Sequence, residues 1–209
     1  MKCDYSDEFI LALLTKQLSF FSITQEETKY LHVAYLEAKK RTEYCFSAST
    51  NKYYKKDGET VFNPFHSGQW CIFLYYLSNT IYTTKILTPL CDKIYYLNRM
   101  LNAVDLFYEV NLPPIFELDH PLGTVIGRGT FGNYFFFSQG CTVGNNKGIF
   151  PVFGENVKMM SNSKVIGNTF IGDNVIIAAN TFIKDQNVDS NLIVFGTSPN
   201  LIFKTNKNK

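Results

Sequence analysis

The chain has 209 residues, 20 Lys and Arg against 18 Asp and Glu, and a formal net charge of +2. That balance excludes the strongly basic footprint of a nucleic-acid binder, and the length fits one large domain or two small ones. Five scattered cysteines (Cys3, Cys45, Cys71, Cys91 and Cys141), with no CxxC pair, argue against a disulfide framework and against a zinc site.

The opening MKCDYSDEF carries acidic residues where a signal peptide needs an apolar run. The longest strongly apolar stretch, Trp70 to Leu77, is too short to span a bilayer. The expectation is a cytoplasmic protein with reduced thiols and no membrane span. Residues 1–107 read as a helical domain. Phe9, Ile10, Leu13 and Leu14 mark a first helix. Thr24 followed by Glu27 forms a capping box, after which Tyr30, Leu31, Ala34, Tyr35 and Ala38 trace a helical stripe. The polar stretch 47–65, with Gly58 and Pro64, reads as a loop, and two more helices are expected near 66–82 and 86–103. Pro113 and Pro114 lack backbone donors and end the helical region.

From there the pattern changes. Phe153, Met159, Val165, Ile171, Ile177 and Ile183 recur every six residues, as do Val125, Phe131, Phe137 and Val143 upstream. Neither a helix nor an ordinary strand has that period, whereas a parallel β-helix does, each hexad making one short strand and a turn. Asn156, Asn162, Asn168, Asn174 and Asn180 follow three residues after the apolar positions. Asparagine tolerates the left-handed backbone of a tight corner, so one series should fill the coil and the other turn it. The interval from Val143 to Phe153 is ten, so a loop of four extra residues is expected within NNKGIF. The pattern fades after Ile183, and FGTSPNLIF is expected to close the solenoid as an extended segment. The β-helix domain is bounded at 108–203, and 204–209 is a basic tail with Lys204, Lys207 and Lys209.

The chain has three histidines. His32 falls inside a helical stripe and His66 opens a helix, which suits packing or capping. His120, in ELDHPLG at the entry to the β-helix, has Asp119 and Glu117 beside it. Here the sequence resembles a known family. LDHPLGTVIGR is similar to the LDHATGIVIGE of serine acetyltransferases. FNPFHSGQ, YLNRMLNAVDLFYEVNLPP, CTVGN, SKVIGNTFIGDNVIIAANTFI and FGTSPNLI follow counterparts in that family in the same order, over residues 60–203.

The resemblance implies an α+β protein: an N-terminal α-helical domain, then a left-handed parallel β-helix, assembled as a homotrimer. It also implies acyl transfer from acetyl-CoA to a hydroxyl-bearing acceptor, with no metal. His120 matches the family's catalytic base. A neutral imidazole suits removal of a hydroxyl proton, and a carboxylate should fix its tautomer. Asp119, Glu117, Glu109 and Asp105 are the candidates, because the family's orienting aspartate is replaced by Asn111 while an ungapped count puts Asp105 opposite it. Gly140, Thr142, Ser161, Asn162, Ser163, Ala178 and Ala179 match the groove for the pantetheine arm; tight packing at coil corners would equally explain small residues there. The basic tail is a candidate for the CoA phosphates. Cys141 is a rival nucleophile, but no histidine lies near it in sequence, and a small buried cysteine is the plainer reading.

Two departures bear on the acceptor. The family's DPA motif is missing from KKDGETVFNPF, and its RHPKIG becomes GIFPVFG, with Phe150 in place of a histidine. The leading expectation is therefore O-acetylation of a sugar of a bacterial surface polysaccharide or its precursor. The alternatives are serine O-acetylation in cysteine biosynthesis and a non-catalytic trimeric scaffold. A β-helix carbonic anhydrase, which needs three zinc-binding histidines, is excluded because His120 is the single histidine after His66.

Overall fold

The computed structural model describes residues 1–49, 51–84 and 89–207. Contacts divide it into two compact units: residues 1–102 with 107–109, and residues 103–106 with 110 onward.

The first unit is helical. Helices α1 (Asp7–Leu18) and α2 (Gln25–Ala48) start on side-chain caps. Ser6 accepts from Phe9 N, and Thr24 and Glu27 close the expected capping box in both directions. Helix α3 (Ser67–Thr83) contains the longest apolar stretch and is buried from Gly68 to Ile81, as a helix apolar on all sides must be. His66 caps it, its Nδ1 accepting from Gln69 N at 3.3 Å. His32 lies exposed on α2, away from the buried stripe of Leu31, Ala34, Tyr35 and Ala38. Helix α4 spans Leu90–Asn102; the start of that expected helix, 86–88, lies outside the described residues.

The stretch 47–65 is more ordered than a loop. Strands β1 (Lys55–Lys56) and β2 (Glu59–Thr60) form a hairpin around Asp57 and Gly58, whose φ values are 54° and 81°. An Asp-Gly pair with both φ positive is the turn a two-residue hairpin favours, because it matches strand twist.

The second unit is a parallel β-solenoid of about five turns with three columns of strands. One column stacks β3 (Asp105–Leu106), β5 (Val125–Ile126), β8 (Thr142–Gly144), β11 (Lys164–Ile166) and β14 (Phe182–Lys184). A second stacks β4 (Phe116–Leu118), β7 (Phe135–Phe137), β10 (Lys158–Met159), β13 (Ile176–Ile177) and β15 (Leu192–Thr197). The third stacks β6 (Thr130–Phe131), β9 (Val152–Phe153) and β12 (Phe170–Ile171).

The inward series is as expected from Phe153 onward: Phe153, Met159, Val165, Ile171, Ile177 and Ile183 are at most 2 % exposed. Phe131, Phe137 and Val143 are also buried. Val125 is not: it is 42 % exposed, and Ile126 fills the core in its place. The corners follow the asparagine series at Asn156, Asn162, Asn174 and Asn180, all with φ between 54° and 62°. Asn168 departs from it. Gly167 takes that corner with φ +80°, and an added Cβ would lie 2.1 Å from Asp185 Oδ1. Asp185 needs the space because its other oxygen accepts from Asn146 Nδ2 at 2.6 Å, pinning the extra loop. That loop is a tight turn closed by paired bonds between Asn146 and Ile149. The solenoid ends in an antiparallel hairpin of β15 and β16 (Asn200–Thr205), so the expected tail begins inside a strand; Lys209 lies outside the described residues.

Candidate active site

Between the second and first columns the chain turns at residues 119–124, 138–141, 160–163 and 178–181. These turns stack into one edge. Gly140 N donates to Leu122 O (3.0 Å), Asn162 N to Gln139 O (2.8 Å) and Asn180 N to Ser161 O (3.0 Å). At the matching place each turn has a residue of positive φ: Gly123, Gly140, Asn162 and Asn180.

Every residue expected at the pantetheine groove lies on or beside this edge. Asn162 and Ala179 are exposed, and Gly140, Thr142, Ser161 and Ala178 are half-buried. Ser163 is fully buried, so its side chain faces the core. Gly140 is explained by the fold itself: φ is +67°, and a Cβ there would lie 2.0 Å from Asn162 Oδ1. Cys141 is also fully buried, its Sγ 3.3 Å from Met160 O and 3.6 Å from Ser163 Oγ.

His120 heads the same edge. In the lower turns the inward residues on either side are six apart: Phe137 and Val143, Met159 and Val165, Ile177 and Ile183. At the top, Leu118 and Ile126 are eight apart. The two extra residues bulge outward at Asp119 and His120. His120 has φ +47°, a conformation disfavoured by its own Cβ and unusual before Pro121. Such strain persists only where neighbours hold it. Here Asp119 N donates to Phe137 O, Leu122 N to His120 O and Gly123 N to Ala103 O, at 3.1, 2.7 and 2.8 Å. The side chains of His120 and Asp119 are 80 % and 60 % exposed, with Nε2 3.4 Å from Asp119 Oδ1. Asp119 can therefore steady an imidazolium at Nε2, leaving Nδ1 turned elsewhere in this rotamer.

Glu117 sits outward on β4, between buried Phe116 and Leu118. Asp105 lies on β3, its N–H donating to Thr124 O at 2.8 Å. Glu109 falls within the helical unit. Among the described residues no His, Cys, Asp and Glu group is arranged to hold a metal, and no helix is long and apolar enough to cross a membrane.

Several proteins similar to this chain are named serine acetyltransferases. A serine acetyltransferase of Synechococcus elongatus is 30 % identical over 115 residues, covering 53 % of this chain and 47 % of its own. The Neisseria gonorrhoeae serine acetyltransferase structure superposes with a TM-score of 0.69 at 17 % identity, over 96 % of this chain and 87 % of that one. The chain resembles the serine acetyltransferases and has their fold. A serine acetyltransferase in complex with CoA is comparably similar, with a TM-score of 0.68 at 16 % identity over 93 % and 82 % of the two chains. No family model matches the chain. It spans about half the length of the curated relatives it matches.

Sequence reasoning missed the bulge and Thr124 beneath it. The signal was present: reading the core from Ile126 rather than Val125 exposes the eight-residue interval.

Proposed function

We propose that the chain is an O-acetyltransferase that moves an acetyl group from acetyl-CoA to the hydroxyl of serine. The observation that carries this reading is the placement of His120 at the head of the edge on which six of the seven expected groove residues are exposed or half-buried. His120 takes the hydroxyl proton as that oxygen attacks the thioester carbon, and returns a proton to the sulfur as the C–S bond breaks. Asp119 steadies the imidazolium between the two transfers. The exposed or half-buried Thr142, Ser161, Asn162, Ala178 and Ala179 present a surface of small side chains and backbone along which an extended pantetheine arm can run close. These residues fit the donor.

The relatives favour serine over the glycan acceptor that the sequence departures suggested, since the proteins compared above are serine acetyltransferases by name. The exposure of His120 and Asp119 supports a trimer: alone, the edge would leave the reaction in bulk water, and a neighbouring copy laid along it would exclude that water.

The decisive measurement is release of CoA thiol from acetyl-CoA with serine and, in parallel, with a panel of capsule-type sugars. Serine is expected to turn over at least about tenfold faster, the order of discrimination that one gained or lost pocket contact supplies. The opposite ranking would return the acceptor to the glycans. Release with neither class would remove the transferase reading.

A further inference from the structure

We infer that Thr124 is a positioning residue that couples the His120 bulge to the Gly140 corner; this rests on the acetyltransferase reading of that edge. The four turns of the edge offer an internal comparison. In three of them, the amide that ends the turn donates directly to the carbonyl three residues earlier. These are Thr124 N to Pro121 O (3.1 Å), Ser163 N to Met160 O (3.1 Å) and Thr181 N to Ala178 O (3.2 Å).

The Gly140 turn is different. Its closing amide, Cys141 N, donates to Thr124 Oγ1 at 3.1 Å. Its first carbonyl, Ser138 O, accepts from the same hydroxyl at 2.6 Å. One side chain from the coil above is thus spliced into the turn below. Thr124 is 1 % exposed and ends the segment that carries His120, and its own carbonyl accepts from Asp105 N. The hydroxyl therefore fixes the distance between the strained bulge and the corner assigned to the acyl donor.

The position is one where the fold needs only a small residue. Thr124, Cys141, Ser163 and Thr181 occupy equivalent places before β5, β8, β11 and β14, and all four are buried. Removing the Thr124 hydroxyl leaves Cys141 N and Ser138 O able to close on each other, as in the three sister turns. The coil can then fold while the bulge loses its tie. A misplacement of an ångström at the base is worth up to about a hundredfold in rate.

The test compares Thr124→Val, Thr124→Ala and Thr124→Ser with the parent in the thiol-release assay, alongside thermal melts. Thr124→Val and Thr124→Ala are expected to lose about tenfold or more in kcat. Their KM for acetyl-CoA should stay within about threefold of the parent, and Thr124→Ser should restore kcat. A merely structural role would move the melting midpoint of the valine and alanine forms without this split. If either folded variant keeps kcat within about twofold of the parent, or if Thr124→Ser is as impaired as Thr124→Val, the inference fails while the acetyltransferase reading stands. Failure of both Thr124→Val and Thr124→Ala to fold would also overturn it, making the hydroxyl a requirement of the coil. A parent protein that releases no thiol would remove the reading and the inference together.

Discussion

Truncating the exposed His120 side chain removes no core contact, so its loss should be felt in chemistry rather than in folding. His120→Ala is expected to lower turnover by about 10² to 10⁴, the usual worth of a general base, while acetyl-CoA binding by calorimetry stays near the parent value. Near-full turnover in that variant would assign His120 to structure alone. Cys141 should behave in the opposite way. Its sulfur is sealed in the core beside Met160 O and Ser163 Oγ, so no acyl-enzyme can form on it without opening the coil. Cys141→Ser keeps a small donor there and is expected to hold turnover within about twofold. A trapped acyl-thioester on the parent chain would contradict this. At the residue scale the sequence was most legible where side-chain chemistry decides: an imidazole flanked by carboxylates, and asparagines spaced to turn corners. It was least legible at Thr124, because a threonine at a coil corner looks the same whether or not its hydroxyl reaches the next turn.

Among the elements, the start of α2 offers a pH-dependent test. Glu27 is 5 % exposed. Burial pushes its carboxyl up, but bonds from Lys93 Nζ (2.8 and 2.9 Å) and Thr24 N (2.7 Å) outweigh that and hold it below the usual value of 4.5. A carboxylate with a depressed folded-state pKa contributes stability above its unfolded value and loses it as pH falls through the folded one. Glu27→Gln retains an oxygen for the capping box but removes the carboxylate that pairs the partly buried Lys93, at a cost of about 2 kcal/mol. Urea melts should show that gap at pH 7 and a shrinking gap below about pH 4.5. A gap constant across that range would mean that charge is not what Glu27 contributes. In the solenoid, Gly167→Ala must place a methyl against Asp185 Oδ1 in a left-handed corner, and it should destabilise the chain by about 1–3 kcal/mol. The hairpin at 55–60 was readable in advance from Asp57-Gly58. The two strands carry no such signal of their own, because the flanking lysines and glutamate are exposed and no alternation marks them.

The whole molecule is tested by its assembly. Five coils give a narrow core, and a solenoid stacks only near neighbours, so association of copies should contribute to stability. Light scattering is expected to give three times the 23.9 kDa chain mass, and a monomer at working concentration would count against a site closed by a second copy. A saturating donor should also raise the melting point. At a hundred times its dissociation constant acetyl-CoA adds about 2.7 kcal/mol, and His120→Ala should show the same shift if the base does not hold the donor.

The sequence alone determined the helical region, the solenoid and most of its core, because a six-residue period is a local property: each hexad repeats the same strand and the same turn. It also pointed to His120 and to a set of expected groove residues, through the order of their matching segments. Only the tertiary structure decided that Ile126 and not Val125 faces inward, that two residues bulge at Asp119 and His120, and that the expected groove residues share one edge. These depend on register between strands 17 to 22 residues apart, as in Ile126 with Val143 and Val143 with Val165. A one-residue shift within a strand exchanges inside for outside, and periodicity read along a single strand carries no record of what its neighbour above holds in place.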